Sequence, residues 1–334
     1  MPLSSKTAQT NVQNHFRPGR QADRRINRRT LLKGVGGLAA ASFVGGGAVV
    51  AGSAPAQAAL NVAQHEDGGR MQYYKLATSS IGWLPRVNVL LPDGYDTSRR
   101  YPVLFLLHGG GENYSTFDTK YDIRNHTAGR DLIVVMPDGG AAGWYCDPES
   151  SNVGPRNWET FHIKELIPWV DATFATTGQA SRRAISGFSM GGFGALKYVA
   201  KYPELFASVS SHSGPADLRI QDGAVVHWAN FTASATDLKG GTIYGIPWDQ
   251  ARVSADNPVE HVESYRGKRV FLVCGTDSDR YESIVLPSQQ NFEKALDGAG
   301  IGYERYEDTG AHVVRWGRIQ QDIDSLLNHF AKGA

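Results

Sequence analysis

The segment Arg182-Arg183-Ala184-Ile185-Ser186-Gly187-Phe188-Ser189-Met190-Gly191-Gly192 constrains this chain more than any other. It reads as a strand end, a tight turn and a helix start, with Gly-x-Ser-x-Gly centred on Ser189. Ala184 and Ile185 suit a buried strand, and Ala195 to Ala200 continues with helical character. A serine on such a turn is lifted above a sheet edge, and glycines flank it because side chains there would meet neighbouring backbone. The helix that follows turns free N–H groups toward the hydroxyl, an environment suited to a developing oxyanion. The pentapeptide alone also fits an ordinary Gly/Ser turn; the strand before it and the helix after it favour a nucleophile.

A serine hydroxyl needs a base, the base an orienting acid, and the oxyanion two donors. On this kind of turn the partners follow in the order serine, acid, histidine, at the carboxyl ends of strands. Five histidines follow Ser189. His312, in Asp308-Thr309-Gly310-Ala311-His312, comes directly after the last expected strand, Tyr303–Tyr306, and is the expected base. His212 also ends a strand and is its rival, but it precedes every suitable acid. His227 and His261 fall in a segment without strand–helix alternation, and His329 lies on the terminal helix. For the acid, Asp277 and Asp279 follow the apolar strand Val270–Cys274. Asp279 is favoured because the nearer aspartate is the better turn former, and Asp277 stays open. The donors are expected to be the N–H of Met190 and, in the turn His108-Gly109-Gly110-Gly111, that of Gly110. Aromatic residues, Trp158 and Tyr145 foremost with Trp144, Trp228 and Trp248, are candidates for lining a substrate pocket.

The apolar runs Val103–Leu107, Leu132–Met136 and Val270–Cys274 read as strands covered on both faces, and Met71–Leu76 and Arg86–Leu91 as further strands. Helical spacing marks Trp158–Thr173, Ser288–Leu296 and Ile319–Phe330. Alternation of the two implies an α/β fold, a mostly parallel sheet of about eight strands with helices on both faces. Residues of about 214–262 read as an insertion over the site. Residues 1–58 read as a leader: Asn27-Arg28-Arg29-Thr30-Leu31-Leu32-Lys33 resembles a twin-arginine export motif, a Gly/Ala/Val-rich run follows, and Ala56-Gln57-Ala58 offers a cleavage site. The competing reading, a membrane anchor, is disfavoured by the glycine content and the adjacent cleavage site, so a secreted protein without a stable anchor is expected. Residues 59–334 then form one domain. With a net charge of +1, the chain has no basic excess that would point to nucleic acid. Cys146 and Cys274 are expected to stay unpaired, and no Cys/His cluster suggests metal.

Leu107-His108-Gly109-Gly110-Gly111, Gly187-Phe188-Ser189-Met190-Gly191-Gly192 and Gly310-Ala311-His312 with Trp316 together resemble the putative-esterase branch of the α/β-hydrolases. That branch includes esterase D, feruloyl esterases and secreted mycolyltransferases, and the resemblance spans roughly Arg70 to Phe330. It implies an α/β-hydrolase fold, a Ser189–His312–acid triad, small or polysaccharide-linked ester substrates, and no metal or organic cofactor. Gly143-Trp144-Tyr145 and Asn157–Phe161 are similar to a mycolyltransferase segment. Two departures favour hydrolysis over mycolyl transfer. The oxyanion turn begins with His rather than Asp. The mycolyltransferase acid is a glutamate on the next helix, for which the sequence offers no clear match, Glu293 being only nearby. The expected function is therefore a secreted serine carboxylic-ester hydrolase. An acyltransferase on the same triad and a non-catalytic carbohydrate- or wall-binding module are the alternatives.

Overall fold

A computed structural model describes residues 60–332. The expected leader lies outside the described residues. Nine strands form one sheet in the order β1-β2-β3-β5-β4-β6-β7-β8-β9. They are β1 (Asn61–Gly68), β2 (Met71–Ala77), β3 (Arg86–Leu90), β4 (Val103–Leu107), β5 (Ile133–Pro137), β6 (Arg183–Phe188), β7 (Ser208–His212), β8 (Arg269–Gly275) and β9 (Glu304–Asp308). From β5 to β9 neighbouring strands run parallel, while β1, β2 and β3 are antiparallel additions. This is the α/β-hydrolase arrangement expected. β1 is the strand the sequence conceals: every residue in it is exposed, and its polar composition carries no alternation.

The helices are α1 (Thr116–Thr119), α2 (Ile123–His126), α3 (Ile167–Thr173), α4 (Met190–Lys201), α5 (Ile220–Ala235), α6 (Gln250–Asp256), α7 (Glu282–Gly298) and α8 (Trp316–Lys332). The stretch expected as one helix over Trp158–Thr173 is helical throughout, with Thr160–Leu166 wound as π-helix before α3. Strand β4 shows how the layers form. Val103, Phe105 and Leu107 pack in the core beneath α3 and α4, and Leu104 and Leu106 in the second core beneath α1, α2 and α8. Alternation along a doubly covered strand thus demands an unbroken apolar run. The segment between β7 and β8 is helical, carrying α5 and α6.

The elbow joins β6 to α4. Ser189 has φ 55° and ψ −118°, backbone that a β-carbon disfavours. A β-carbon on Gly191 would lie 2.1 Å from the Leu107 carbonyl oxygen, and one on Gly187 2.3 Å from the Gly191 carbonyl. The turn is therefore wedged against the end of β4, where the oxyanion turn begins. Gly191→Ala is expected to cost at least about 1–3 kcal/mol. Gly298→Ala, where no atom lies within 4 Å, is expected to be neutral or to stabilise by up to about 1 kcal/mol. Urea unfolding of the two variants compares them directly.

Candidate active site

Strand β6 delivers Ser189, and the loop after β9 delivers His312. His312 Nε2 lies 2.7 Å from Ser189 Oγ. The structure thus brings together the serine and the histidine singled out in the sequence. The Ser189 N–H is used in the fold, donating to the His212 carbonyl at 2.8 Å.

Behind the imidazole stands Glu282, not Asp279. His312 Nδ1 is 3.3 Å from Glu282 Oε1, longer and less aligned than a good hydrogen bond but in ion-pair range, as is common before substrate binds. Glu282 is the first residue of α7 and is buried. Its Oε1 accepts from Ser213 Oγ at 2.7 Å and the Gly275 N–H at 3.2 Å, and its Oε2 from the Cys274 thiol at 2.9 Å. Burial pushes this carboxyl up, but the nearby His312 ring and hydrogen bonds from Cys274 and Ser213 outweigh it and hold the group below the usual carboxylate range. Burial and the same carboxylate push the Cys274 thiol upward, so it remains a proton donor. Cys146 and Cys274 are both unpaired.

The expectation for Asp279 is corrected by its contacts. Its Oδ1 accepts the N–H groups of Tyr281 and Glu282, each at 2.7 Å, and its Oδ2 accepts the His312 N–H at 2.8 Å. Asp279 caps the start of α7 and ties it to the loop bearing the imidazole, so its oxygens are spent on backbone. Asp277 likewise accepts the Gly310 N–H at 3.2 Å. His212, the rival base, turns to the opposite side of the sheet. It pairs through Nε2 with Asp322 at 3.0 Å, in a buried cluster with Arg269 and Ser210. Burial pushes the Asp322 carboxyl up, but Arg269 and His212 hold it far below its ordinary value.

The oxyanion turn is pinned from three sides. The Gly139 N–H donates to His108 Nε2 at 2.9 Å, which leaves the ring proton on Nδ1, 2.8 Å from the Gly109 carbonyl. The Gly109 N–H donates to Glu112 Oε2 at 3.0 Å, and the Tyr145 hydroxyl to the His108 carbonyl at 2.8 Å. Gly110 N–H has no acceptor among the described residues. Met190 opens α4, where the first N–H groups have no partner in their own helix. Both residues line one cavity of about 340 Å³ with Ser189 and His312.

Trp158 and Tyr145 do not line that cavity, which corrects the expectation for them. Both are fully buried. Tyr145 supports the oxyanion turn from below, and Trp158 packs on the His162 ring at 5.9 Å. The aromatic walls are Trp144, Trp228 and Tyr281. Trp144 and Tyr145 both adopt positive φ, at 50° and 55°; Trp144 faces the cavity and Tyr145 the buried side beneath it. Trp144 Nε1 donates to Thr232 Oγ1 of α5 at 3.0 Å. The α5 residues Trp228, Thr232 and Thr236 place the segment between β7 and β8 over the site. Among the described residues no group of His, Cys, Asp and Glu side chains is arranged to hold a metal.

Residues 78–323 match the model of a family described as "Putative esterase". Over 277 residues the chain is 56% identical to Esterase Rv1288 of Mycobacterium tuberculosis, covering 80% of this chain and 60% of that protein. The chain therefore spans about 60% of the length of that relative. It is 29% identical to the diacylglycerol acyltransferase/mycolyltransferase Ag85A of Mycobacterium leprae, covering 91% of this chain and 93% of the other. Among solved structures, an S-formylglutathione hydrolase from Agrobacterium tumefaciens shares the fold with a TM-score of 0.64 at 20% identity, over 81% of this chain and 99% of that one.

The Glu282 environment makes a stability prediction. A carboxyl held below its unfolded value contributes stability above the usual carboxylate range, and that contribution is lost as pH falls through the folded value. Between neutrality and about pH 3, the urea midpoint of the wild type is therefore expected to fall more steeply than that of Glu282→Gln.

Proposed function

The chain belongs to the putative esterase family, and from this premise we propose that it is a serine carboxylic-ester hydrolase acting through an acyl-enzyme. The observation that carries the reading is the 2.7 Å contact between His312 Nε2 and Ser189 Oγ, backed by the buried Glu282 carboxylate. In this reading the hydroxyl proton passes to Nε2 as Oγ attacks the ester carbonyl. Glu282 holds the Nδ1–H toward itself and balances the imidazolium. The N–H groups of Met190 and Gly110 receive the tetrahedral oxyanion, each such donor being worth about 3 kcal/mol. The imidazolium then protonates the departing alcohol, and water, deprotonated by His312, releases the acid. Trp144, Trp228 and Tyr281 give the cavity the apolar, aromatic walls that suit an acyl or aryl group. The Arg28-Arg29 leader supports export as the setting of this activity.

Acyl transfer to an alcohol is the second reading, and one specific observation favours it. The acid is a glutamate at the start of the helix after β8, the place that the resemblance to mycolyltransferases implies. Against it stands the His108 that opens the oxyanion turn. Supplying glycerol or trehalose with a p-nitrophenyl ester, and comparing transfer product with free acid, separates the two.

A fluorophosphonate probe is expected to label Ser189 in the wild type and nothing in Ser189→Ala, which also loses p-nitrophenyl butyrate hydrolysis. Glu282→Gln is expected to lower kcat by about a hundredfold to ten-thousandfold. Asp279→Asn is expected to lower it much less and to reduce stability by about 1 kcal/mol, because the new amide NH2 replaces the oxygen that accepts the His312 N–H. A larger kcat loss in Asp279→Asn than in Glu282→Gln would remove Glu282 from the role given to it.

A further inference from the structure

Beyond the oxyanion turn, at the same end of the sheet, the three antiparallel strands form a second concavity. Strand register places Gln64 opposite Lys75 and Lys75 opposite Arg86, and likewise Glu66 opposite Tyr73 and Tyr73 opposite Asn88. Because side chains alternate along a strand, these two rows share one face. Tyr114 and Ser115, just past the oxyanion turn, and Asp118 of α1 form the opposing wall of a groove of about 320 Å³. Its position follows from pairing. The Asp138 N–H, at the carboxyl end of β5, donates to the Arg86 carbonyl at 2.9 Å, so the amino end of β3 lies beside the loops that build the candidate active site.

The groove has an excess of donors. Lys75 and Arg86 are directly opposed like charges, an unfavourable cross-strand pair, and neither makes an ion pair among the described residues. Arg86 Nη1 donates to the Tyr114 hydroxyl at 2.5 Å, and Arg124 Nη2 to the Tyr73 hydroxyl at 3.0 Å. Each phenol therefore accepts from a cation and keeps its own proton to donate. Asn88 is only 1% exposed, and its Nδ2 has no partner among the described residues. The acidic side chains do not cancel this. Asp118 is held by Arg124 at 2.5 and 3.0 Å, and Glu66 is exposed on the edge strand. The lining carries two cations and two carboxylates; with Asp118 taken up by Arg124, the charges left facing the space are Lys75, Arg86 and Glu66, with ammonium, guanidinium and phenol donors around it.

We propose that this groove is a second binding site for a small oxyanion, carboxylate or phosphate, either free in solution or borne on the alcohol part of a larger ligand. A bound anion relieves the Lys75–Arg86 opposition and gives the two phenols an acceptor. The proposal is independent of the catalytic reading, since none of these residues touches Ser189, His312 or Glu282.

Calorimetric titration of the full chain tests it, using inorganic phosphate, glycerol 1-phosphate and glucuronate as probes. The wild type and Ser189→Ala are expected to bind at least one of them saturably and equally well. The double variant Lys75→Gln/Arg86→Gln is expected to bind at least tenfold more weakly, with far-UV circular dichroism and p-nitrophenyl acetate hydrolysis unchanged. Tyr114→Phe, a milder change on a loop, is expected to weaken binding severalfold and keeps the test decisive if the double variant misfolds. Tighter binding of glycerol 1-phosphate than of inorganic phosphate assigns the anion to a larger ligand, and equal binding assigns it to the free ion. No binding by the wild type at tens of millimolar anion, or equal binding by the wild type and these variants, overturns the site.

Discussion

Among the described residues, the tightest approach of a glycine to neighbouring backbone is between the first turn of α4 and the end of β4. With 2.1 Å between the Leu107 carbonyl oxygen and any β-carbon at position 191, only glycine lets the two backbones meet. That approach fixes two things together. It forces Ser189 into positive φ, which lifts its hydroxyl off the sheet, and it sets the start of α4 beside the turn His108–Gly111. Ser189 and both proposed oxyanion donors thus share one rigid junction. Preorganisation of this kind is what electrostatic catalysis requires, because donors that need not reorient cost nothing when charge develops.

The junction is supported from beneath by a buried charge cluster. Lys197, fully buried on α4, donates to the Tyr145 carbonyl at 2.8 Å and to Glu159 at 2.6 Å. Burial alone would raise the Glu159 carboxyl, but Lys197 and Lys201 bring it down to about 2. Tyr145 passes the restraint on through its hydroxyl bond to the His108 carbonyl. A chain of contacts therefore runs from the nucleophile helix through Tyr145 to the oxyanion turn. An ion cluster of this kind is weak evidence for stability, since desolvation offsets much of its attraction. Its contribution here is to hold a loop of two consecutive positive-φ residues in one conformation.

Much of this was legible in the residues. The apolar runs of β4, β5 and β8 announced a doubly covered sheet, and the glycines around Ser189 announced close backbone approach. What stayed hidden has physical causes. Pro287 lies inside α7, so a reading that starts helices after proline places the start at Ser288 and leaves Glu282 in a loop. Asp279 has the sequence position of a triad acid because a helix cap and an acid at the end of a strand are both short carboxylates near a turn. Only the direction of its oxygens tells them apart. Tyr145 and Trp144 are neighbours with opposite fates, one beneath the turn at His108 and the other on the cavity wall, and composition does not report which way a loop residue faces. β1 lacked a signal because it buries nothing.

Moving the proposed acid from a loop to the first residue of a helix changes its physics. An aspartate in the Gly275–Tyr281 loop would keep its charge by solvation and local N–H bonds, as Asp279 does. Glu282 has given up solvent. It sits at the positive end of a 17-residue helix, where a carboxylate is favoured by the aligned peptide dipoles. It also has three neutral donors, the Ser213 hydroxyl, the Cys274 thiol and the Gly275 N–H, that stabilise the anion without neutralising it. A cation in those places would compete with the imidazolium for the carboxylate. Neutral donors leave its charge for His312. The buried thiol of Cys274 is thereby explained: among the groups able to occupy the end of a central strand, it fills apolar space and still offers the carboxylate a proton.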